Sequence, residues 1–489
     1  MIAIDLKKIK YKNLGFFNFK KLNGNYLLTN DAGDWVFLKE NEFKAFLEGE
    51  LEKNKDSYLS LANKNFLKNE ADLDLAAERY RKRYSYLFQG PSLHIVVVTL
   101  RCNQKCIYCH ASAQDMRRKD LDMNLKTAKK TIEMIFKSPS PFIVIEFQGG
   151  EPLANWPIVK FIIEEARKKN KNAGKNLEIK LVSNFSLMTE DRYRYLLKNN
   201  VGLCTSLDGP KKLHNKNRPI AFGDSHQNAI KWIKRFRKDY PRLLKKGYIW
   251  EMAAIMTTTR FSLPRYKEII DEYFKLGFDN IFLRPLDPFG FSNKHWKAIG
   301  YNSDEFINFY KKSLDYIIKL NSPARRFMER TAQIFLTKIF VGKDPNMMDM
   351  RSPCGAGIGQ LAYNYNGDVY TCDEGRMMNM MGDDSFKLGN VKENDYNEIV
   401  GSPITKTLCS SSCLEGQAGC SGCVYRPYCG TCPIYNYFEQ GNVMGQMPTN
   451  DKCKINKAIL DYLFTRLENK KIKDIFIRWI KPKPKNEKR

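Results

Sequence analysis

The chain has 489 residues, of which 43% are hydrophobic, so it is long enough for about three domains and can bury a substantial core. Its formal net charge of +27 suits either an acidic partner or a lysine-rich solvated surface, because the basic residues are spread along the whole chain. No apolar run reaches the roughly 18 residues that span a bilayer, and residues 1–12 lack the pattern of a secretion signal. These features exclude a membrane-spanning protein and predict a cytoplasmic one.

Residues 1–88 are predicted to form a small first domain. Two short apolar runs at 26–30 and 35–38 flank the turn-forming residues 31–34, and helical spacing of apolar residues follows at 40–51. This combination of strands and a helix indicates a winged-helix-like module. The Gln-Gly-Pro sequence at 89–91 is a natural domain boundary.

Residues 89–345 alternate between apolar runs with strand character and segments with helical spacing. This α/β repetition predicts a parallel sheet with right-handed crossovers, either open or curved into a partial TIM-like (β/α)6 barrel. Ligands of such folds bind at the carboxyl ends of the strands. The predicted strands are 93–100, 142–148, 177–184, 201–206, 250–256 and 279–284, and the predicted helices are 124–137, 158–170, 190–199, 227–237, 265–276, 303–320 and 324–340.

The segment 346–455 is rich in cysteine, glycine and proline and has few apolar runs. We therefore expect a loop-rich domain in which bound metal supplies the stability that a small core cannot. The segment 456–489 is predicted to contain a helix at 456–467 and a basic tail, dense in lysine and arginine from 470 onward, that frays.

The 13 cysteines fall into two groups. Three lie between Cys102 and Cys109, nine lie between Cys354 and Cys453, and Cys204 stands alone. In a reducing compartment, clustered cysteines indicate metal ligation or catalysis before disulfides.

Cys102, Cys106 and Cys109 follow the first predicted barrel strand directly. Three thiolates on one tight loop can ligate three irons of a cubane cluster and leave the fourth iron open to a chelating ligand. Tetrahedral zinc takes four ligands, and His110 is available as the fourth. The residues by themselves leave both metals open.

The C-x3-C-x2-C spacing of this loop resembles the signature of the radical S-adenosylmethionine (SAM) superfamily. The second predicted strand ends in Gln-Gly-Gly-Glu-Pro, which resembles the family's GGEP motif, and the stretch 206–218 resembles the Ser-Leu-Asp-Gly-Pro region of its peptide-modifying members. Glycines let a backbone approach a ligand closely, and a carboxylate accepts hydrogen bonds from an ammonium group. The residues implied for SAM binding are Tyr108, Gln148, Gly149, Gly150, Glu151, Pro152, Ser183, Asn184, Ser206 and Arg218.

This resemblance implies a [4Fe-4S] cluster on the three cysteines that cleaves SAM to a 5′-deoxyadenosyl radical, while the protein positions the substrate and excludes water. The motif glutamate would hold the methionine amino group, and Ser183 with Asn184 would contact the ribose. Ser206 and Arg218 would face the SAM carboxylate, although Arg218 also fits a surface arginine. Arg284, at the end of the sixth predicted strand, is a candidate substrate contact.

The cysteines after residue 350 resemble a SPASM domain, which carries auxiliary [4Fe-4S] clusters. The paired C-x2-C spacing taken alone also permits zinc knuckles. By the resemblance, one auxiliary cluster would be bound by Cys420, Cys423, Cys429 and Cys453.

The second auxiliary set is one thiolate short of four. The resemblance assigns Cys354, Cys372 and Cys432 to it, and either Cys409, Cys413 or an open iron would complete it.

Asp373 follows the second of those cysteines immediately. In relatives that oxidise a peptide side chain, an aspartate at this place is proposed to accept the second proton, and burial would raise its pKa toward that task. A turn aspartate in Thr-Cys-Asp-Glu-Gly is an equal alternative.

Several further stretches resemble the His-Xaa-Ser system radical SAM maturases of the HxsB type, which are thought to modify small ribosomal peptides. The resemblance implies a crosslink, an epimer or an oxidised side chain as product, with a precursor peptide and an electron donor such as flavodoxin or ferredoxin as partners, and with neither membrane nor nucleic acid. The winged-helix-like module would bind the peptide's leader by adding a strand. The stretches are 90–95, 138–141, 208–210, 355–359, 373–377 and 388–391.

Two alternatives remain at this point. A sulfatase-type maturase would oxidise cysteine or serine to formylglycine, which product mass would distinguish. A non-enzymatic, zinc-stabilised binding protein would contain zinc and no sulfide.

Overall fold

The computed structural model describes residues 6–345 and 347–482. The chain folds into two compact units, and each unit is assembled from separate segments. The first unit comprises Met1–Leu87, Thr331–Cys354 and Ser410–Arg489, and the second comprises Phe88–Arg330 and Gly355–Cys409. The segment 346–455 is therefore shared between the two units.

The strands are short and lie in three sheets. In the described residues they are β1 (Asn18–Leu22), β2 (Asn25–Thr29), β3 (Trp35–Leu38), β4 (Leu93–Val97), β5 (Phe142–Gln148), β6 (Asn176–Ser183), β7 (Gly202–Ser206), β8 (Ala253–Thr257), β9 (Asn280–Ile281), β10 (Leu283–Arg284), β11 (Met328–Glu329), β12 (Gln360–Tyr363), β13 (Asp368–Tyr370) and β14 (Lys387–Asn390).

The α-helices connect these strands or follow them. In the described residues they are α1 (Glu40–Glu48), α2 (Asp56–Ala62), α3 (Leu73–Arg83), α4 (Leu125–Phe136), α5 (Trp156–Ala173), α6 (Glu190–Lys198), α7 (Lys211–Asn217), α8 (Ser225–Lys245), α9 (Tyr266–Lys275), α10 (Phe291–Ile299), α11 (Ser303–Leu320), α12 (Arg330–Val341), α13 (Asp373–Asn379), α14 (Tyr396–Val400), α15 (Pro403–Ser411), α16 (Ala418–Ser421), α17 (Pro433–Gln440), α18 (Asp451–Leu467) and α19 (Lys470–Ile480).

The second unit is built on a nine-stranded sheet in the order β10-β8-β7-β6-β5-β4-β12-β13-β14. The strands from β10 to β12 in this order pair in parallel, with crossover helices between most of them, as the alternating pattern predicts. All six predicted strands are present, the last of them divided into β9 and β10. The α/β class is confirmed, and the strands that the structure describes do not close into a complete barrel.

The sheet extends into a segment that the sequence predicts to be loop. β12 pairs in parallel with β4, and β13 and β14 continue the sheet antiparallel. These strands have only three or four residues, and every side chain of β12 and β13 is buried, so they show no alternation that could reveal them. The sequence analysis missed these three short strands.

The first unit contains a three-stranded antiparallel sheet in the order β1-β2-β3. Asn23 and Gly24, which both have positive φ, form the two-residue turn between β1 and β2. The sequence interpretation missed β1. The core of this part joins residues of β2 and β3, such as Tyr26 and Leu38, to Phe43 and Phe46 of α1.

The end of the chain differs from the predicted basic tail. Residues 470–480 form α19, in which Phe476 and Trp479 are fully buried, because its lysines occupy one face and its apolar residues the other. Residues 483–489, the rest of the predicted tail, lie outside the described residues. In the parts of the chain that the structure describes, no helix is long and apolar enough to cross a membrane.

Candidate active site and cysteine clusters

The three cysteines of the first group lie on the loop after β4, and each thiol receives a nitrogen donor. Backbone N–H groups donate to the Sγ atoms of Cys102 and Cys109, each at 3.4 Å, and the Arg218 guanidinium donates to Cys106 Sγ at 3.8 Å. Burial raises the pKa of all three thiols, to about 12 for Cys106. The thiols are therefore protonated until a metal replaces their protons. The N–H···S hydrogen bonds to them are of a kind typical of iron–sulfur ligation.

The Gly-Gly-Glu-Pro stretch runs along the residues that precede this loop. The N–H groups of Gly150 and Glu151 donate to the carbonyl oxygens of Thr99 and Arg101 at 3.0 and 2.7 Å. A Cβ atom on Gly150 would lie 2.2 Å from the Arg101 oxygen, and one on Gly149, whose φ is 133°, would lie 2.3 Å from the Thr99 oxygen. Both glycines are therefore needed for this close approach.

The Glu151 carboxylate ties the ends of β5 and β6 together. It accepts hydrogen bonds from the Ser183 hydroxyl group at 2.7 Å and from the backbone N–H groups of Asn184 and Leu153 at 2.8 and 3.0 Å. A carboxylate offers about four lone-pair sites, which leaves one for a ligand ammonium group. The Asn184 side chain also donates to Cys102 Sγ at 3.7 Å, so three of the predicted SAM-binding positions converge on the cysteine loop.

Asp208 connects two residues that the sequence analysis singled out separately. Its Oδ2 atom accepts hydrogen bonds from the Tyr108 hydroxyl group at 2.6 Å and from Arg218 Nε at 3.2 Å. Asp208 is fully buried, and Arg218 lies over the Tyr108 ring at 5.2 Å. Arg218 is itself buried, so it is not a surface arginine. The sequence analysis named Asp208 only as part of its motif. A carboxylate directly after a buried strand is a signal that could have marked it as a site residue.

A polar surface forms where alternate strand residues face the same side of the sheet. Gln148 Nε2 donates to Glu146 Oε1 at 2.7 Å, and the register places Glu146 opposite Lys180. Cys204 and Arg284 occupy the same face further along the sheet by the same alternation. Burial raises the pKa of Glu146, against the opposing influence of its polar and cationic neighbours. This half-buried surface can receive a polar substrate group, and sequence reasoning missed Glu146 and Lys180.

Asp373 is the first residue of α13 in the second unit. Its carboxylate forms an ion pair with Arg376, with Nη2 at 2.8 Å and Nε at 2.9 Å from the same oxygen. The negative charge of Asp373 raises the pKa of Glu146 and of His110. Burial has the larger effect on His110 and lowers its pKa to about 4. Asp373 therefore belongs to the electrostatic environment of the polar surface.

Four cysteines of the second group lie together within the first unit. Burial and, to a smaller extent, the charges of the other members of the group raise the pKa of both Cys420 and Cys429 to about 12. An apolar cluster with Leu414 and Met447 surrounds part of the group. The members are the four that the resemblance assigned to one auxiliary cluster: Cys420, Cys423, Cys429 and Cys453.

The other cysteines divide between the two units. The thiol of Cys432 accepts the Tyr435 N–H at the start of α17, and that of Cys372 accepts the Gly375 N–H at the start of α13, each at 3.4 Å. The predicted second auxiliary set remains a prediction. The first unit contains Cys354, Cys413 and Cys432, and the second contains Cys372 and Cys409.

The loop between Cys423 and Cys429 is held by the N-terminal residues of the same unit. The Thr29 hydroxyl group donates to the buried carbonyl oxygen of Val424 at 2.7 Å. The Tyr428 hydroxyl group donates to the Gly33 carbonyl oxygen at 3.0 Å. The N-terminal sheet and the four-cysteine group are therefore parts of one structural unit.

The two cysteine groups offer thiols in the numbers that iron–sulfur clusters take. Within residues 6–345 and 347–482, no three His, Cys, Asp or Glu side chains are close enough to hold one metal ion. Zinc draws its ligands to about 2.0–2.3 Å from a single centre, whereas a cubane cluster distributes its thiolates over separate irons. Three thiols on one loop and four in one group suit the second arrangement.

Comparisons with known proteins agree with this geometry. The model of the Radical SAM superfamily matches residues 96–250. The cysteine-type anaerobic sulfatase-maturating enzyme of Clostridium perfringens (strain 13 / Type A) is 25% identical over 388 residues, which are 77% of this chain and 97% of that protein. Native anSMEcpe with bound AdoMet and Cp18Cys peptide has a TM-score of 0.63 at 20% identity, and the match covers 78% of this chain and 100% of that chain.

A second solved structure, Streptococcus suis SuiB bound to precursor peptide SuiA, has a TM-score of 0.52 at 16% identity and covers 88% of this chain and 98% of that chain. At these identities the two structures establish the fold, and the family match identifies the domain. Residues 96–250 therefore match the Radical SAM superfamily, whose members use a [4Fe-4S] cluster and S-adenosyl-L-methionine.

Proposed function

We propose that this protein is a radical SAM enzyme that modifies a residue of a ribosomally made peptide by crosslinking, epimerisation or oxidation. One observation carries the proposal: the three-thiol loop, the GGEP stretch and a half-buried polar surface lie on or directly after the parallel strands of one sheet. Such a site can bind SAM and present a peptide side chain beside it.

Each group of residues in the site would have its own role in the reaction. When bound to Cys102, Cys106 and Cys109, the cluster with SAM would supply a 5′-deoxyadenosyl radical that removes a hydrogen atom from the substrate. The free lone pair of Glu151 would orient the methionine amino group. Asp373 would accept the proton that a substrate oxidation releases.

The remaining predicted residues would orient SAM and hold further clusters. The methionine carboxylate would lie near Ser206 and Arg218, and the ribose near Ser183 and Asn184. The four-cysteine group of the first unit would hold an auxiliary cluster of the SPASM type.

Peptides are supported as substrates by two relatives. The anSMEcpe structure contains a bound peptide, and SuiB was solved with its precursor peptide. The half-buried carboxylate, amide and guanidinium groups of the polar surface suit a peptide's polar groups. The HxsB type of His-Xaa-Ser maturase remains our specific proposal, and flavodoxin or ferredoxin would be the electron donor.

The cofactor assignment is tested with protein purified without oxygen. We expect about twelve irons and as many sulfides per chain for three clusters, or about eight for two. The Cys106→Ala variant should lose about four irons and all release of 5′-deoxyadenosine. Undiminished 5′-deoxyadenosine release by Cys106→Ala would disprove the assignment.

The substrate class is tested by co-expression with each short peptide encoded beside the gene, followed by mass spectrometry of the intact peptide. A crosslink removes about two hydrogens from the peptide, and an epimer keeps its mass and is detected by chirality after hydrolysis. If every peptide remains unmodified by an enzyme that releases 5′-deoxyadenosine, the peptide proposal fails.

A sulfatase-type formylglycine maturase is the second candidate. The similarity to the Clostridium perfringens enzyme, over 97% of its length, favours it. A peptide that contains a target cysteine is a suitable probe, since conversion of cysteine to formylglycine replaces the thiol group and one hydrogen by an aldehyde oxygen. A product with that mass change would replace the first candidate.

A further inference from the structure

Helix α18 presents three polar residues to the four-cysteine group of the first unit. Cys453, Asn456 and Lys457 occupy positions i, i+3 and i+4 of this helix, which lie on one face. The Asn456 side-chain amide donates to Cys429 Sγ at 3.7 Å. A single helix face therefore supplies one thiol, one N–H···S donor and one cation.

Lys457 is the cation of this face. It lies four residues after Cys453 on the same face of α18, and its positive charge acts on all four cysteines. The side chain is half-buried, so solvent screens it less than it screens a surface lysine. In the residues that the structure describes, no carboxylate lies within ion-pair distance of Lys457.

A second lysine near the group is neutralised. The positive charge of Lys338, on α12, lowers the pKa of Cys429. Lys338 also forms an ion pair with Asp344 at 3.1 Å, and both side chains of this pair are more than nine-tenths buried. The nearest acidic residue one turn along α18, Asp461, is itself paired with Lys20 at 2.5 Å. Lys457 thus provides a positive charge at this group that no ion pair among the described residues offsets.

We infer that Lys457, assisted by the Asn456 amide, raises the reduction potential of the cluster that Cys420, Cys423, Cys429 and Cys453 would hold. The inference rests on the proposed function, because it assumes that this group holds a [4Fe-4S] cluster. Reduction adds one electron and no proton, taking the cluster from the 2+ to the 1+ state. A nearby cation and a donor to sulfur both stabilise that added negative charge.

The test is a redox titration of the full-length protein with dithionite, followed by electron paramagnetic resonance. The signal of this cluster is the one that the Cys429→Ser variant lacks. For Lys457→Gln we expect the midpoint to become more negative by about a tenfold change in the reduction equilibrium, which is 59 mV for one electron. Lys457→Arg, which keeps the charge, should titrate like the unmodified protein.

Lys454→Gln is the matched control, because Lys454 lies on the same helix and is exposed. Its midpoint should remain unchanged. If Lys457→Gln fails to hold the cluster, Asn456→Leu serves as the second variant and should also shift the midpoint to a more negative value. Midpoints of iron-loaded Lys457→Gln and Asn456→Leu that equal the unmodified value would overturn the inference. Absence of this cluster from the unmodified protein would instead count against the proposed function.

Discussion

The Tyr108 hydroxyl group donates a 2.6 Å hydrogen bond to Asp208, and this bond joins the cysteine loop to the end of β7. The same carboxylate holds Arg218, which donates to the Cys106 thiol. One buried carboxylate thus orients both an aromatic ring and a cation beside the thiols that would bind the SAM cluster.

Asp208→Asn should destabilise the protein strongly. The amide keeps the shape of the side chain but leaves the buried Arg218 guanidinium without its counter-charge, a change that typically costs about 3–5 kcal/mol. We expect a lower Tm under anaerobic conditions and slower 5′-deoxyadenosine release. Asp120→Asn, which removes one partner of an exposed pair with Arg118, should leave the Tm nearly unchanged. Equal Tm values for the two variants would contradict this role for Asp208.

Gly150→Ala should displace the cysteine loop. The added methyl group would meet the carbonyl oxygens of Arg101 and Leu100 at 2.2 and 2.5 Å, and backbone atoms cannot move aside without shifting Cys102. We expect weaker SAM binding by equilibrium dialysis and loss of iron. Gly416→Ala, where nothing lies within 4 Å of the added atom, is the control and should bind iron normally. Normal SAM affinity in Gly150→Ala would show that the loop tolerates the methyl group.

His94 should make stability depend on pH. Burial lowers its pKa to about 3 in the folded protein, whereas the usual value is 6.5, so the unfolded chain binds the extra proton between these two values. The contribution of the neutral imidazole is fully present above about pH 6.5 and is lost as the pH falls toward 3. The free energy of unfolding should fall by about 2 kcal/mol more between pH 7 and pH 5 than it does in His94→Gln.

The measurement for His94 is denaturant unfolding of iron-loaded proteins at both pH values, compared as a difference so that the clusters' own acid sensitivity cancels. His295→Gln is the control, since His295 is exposed. The expectation fails if His94→Gln and His295→Gln show the same change between the two pH values.

Thr29→Val should weaken the four-cysteine group without affecting the first cluster. The substitution leaves the buried Val424 carbonyl oxygen without its hydroxyl donor, which costs about 1–3 kcal/mol locally. We expect fewer irons per chain after gel filtration, while 5′-deoxyadenosine release continues. Thr407→Val, at an exposed position, should retain all iron. Full iron retention in Thr29→Val through repeated dilution would refute the stabilising role of this contact.

The amino-acid sequence by itself determined the local features of the protein. The six barrel strands, the crossover helices and the three-thiol loop with its GGEP partner were all predictable, because each depends on periodicity or spacing within a short window. Even there, the edges were inexact: α8 extends to Lys245, beyond the predicted 237, and the Asn-Gly turn before β2 was present in the sequence but was not used.

Only the tertiary structure decided which distant residues meet. The Tyr108 to Asp208 bond spans 100 residues, and the Thr29 to Val424 bond spans 395. β12 joins the sheet beside β4 although it lies more than 260 residues later in the chain. A hydrogen bond between residues so far apart imposes no repeat on the sequence around either of them. No local pattern could therefore have predicted the partners of Asp208, the N-terminal support of the four cysteines or the place of Lys457 beside them. Those relationships arise because packing of complete elements satisfies buried polar groups that the elements cannot satisfy alone.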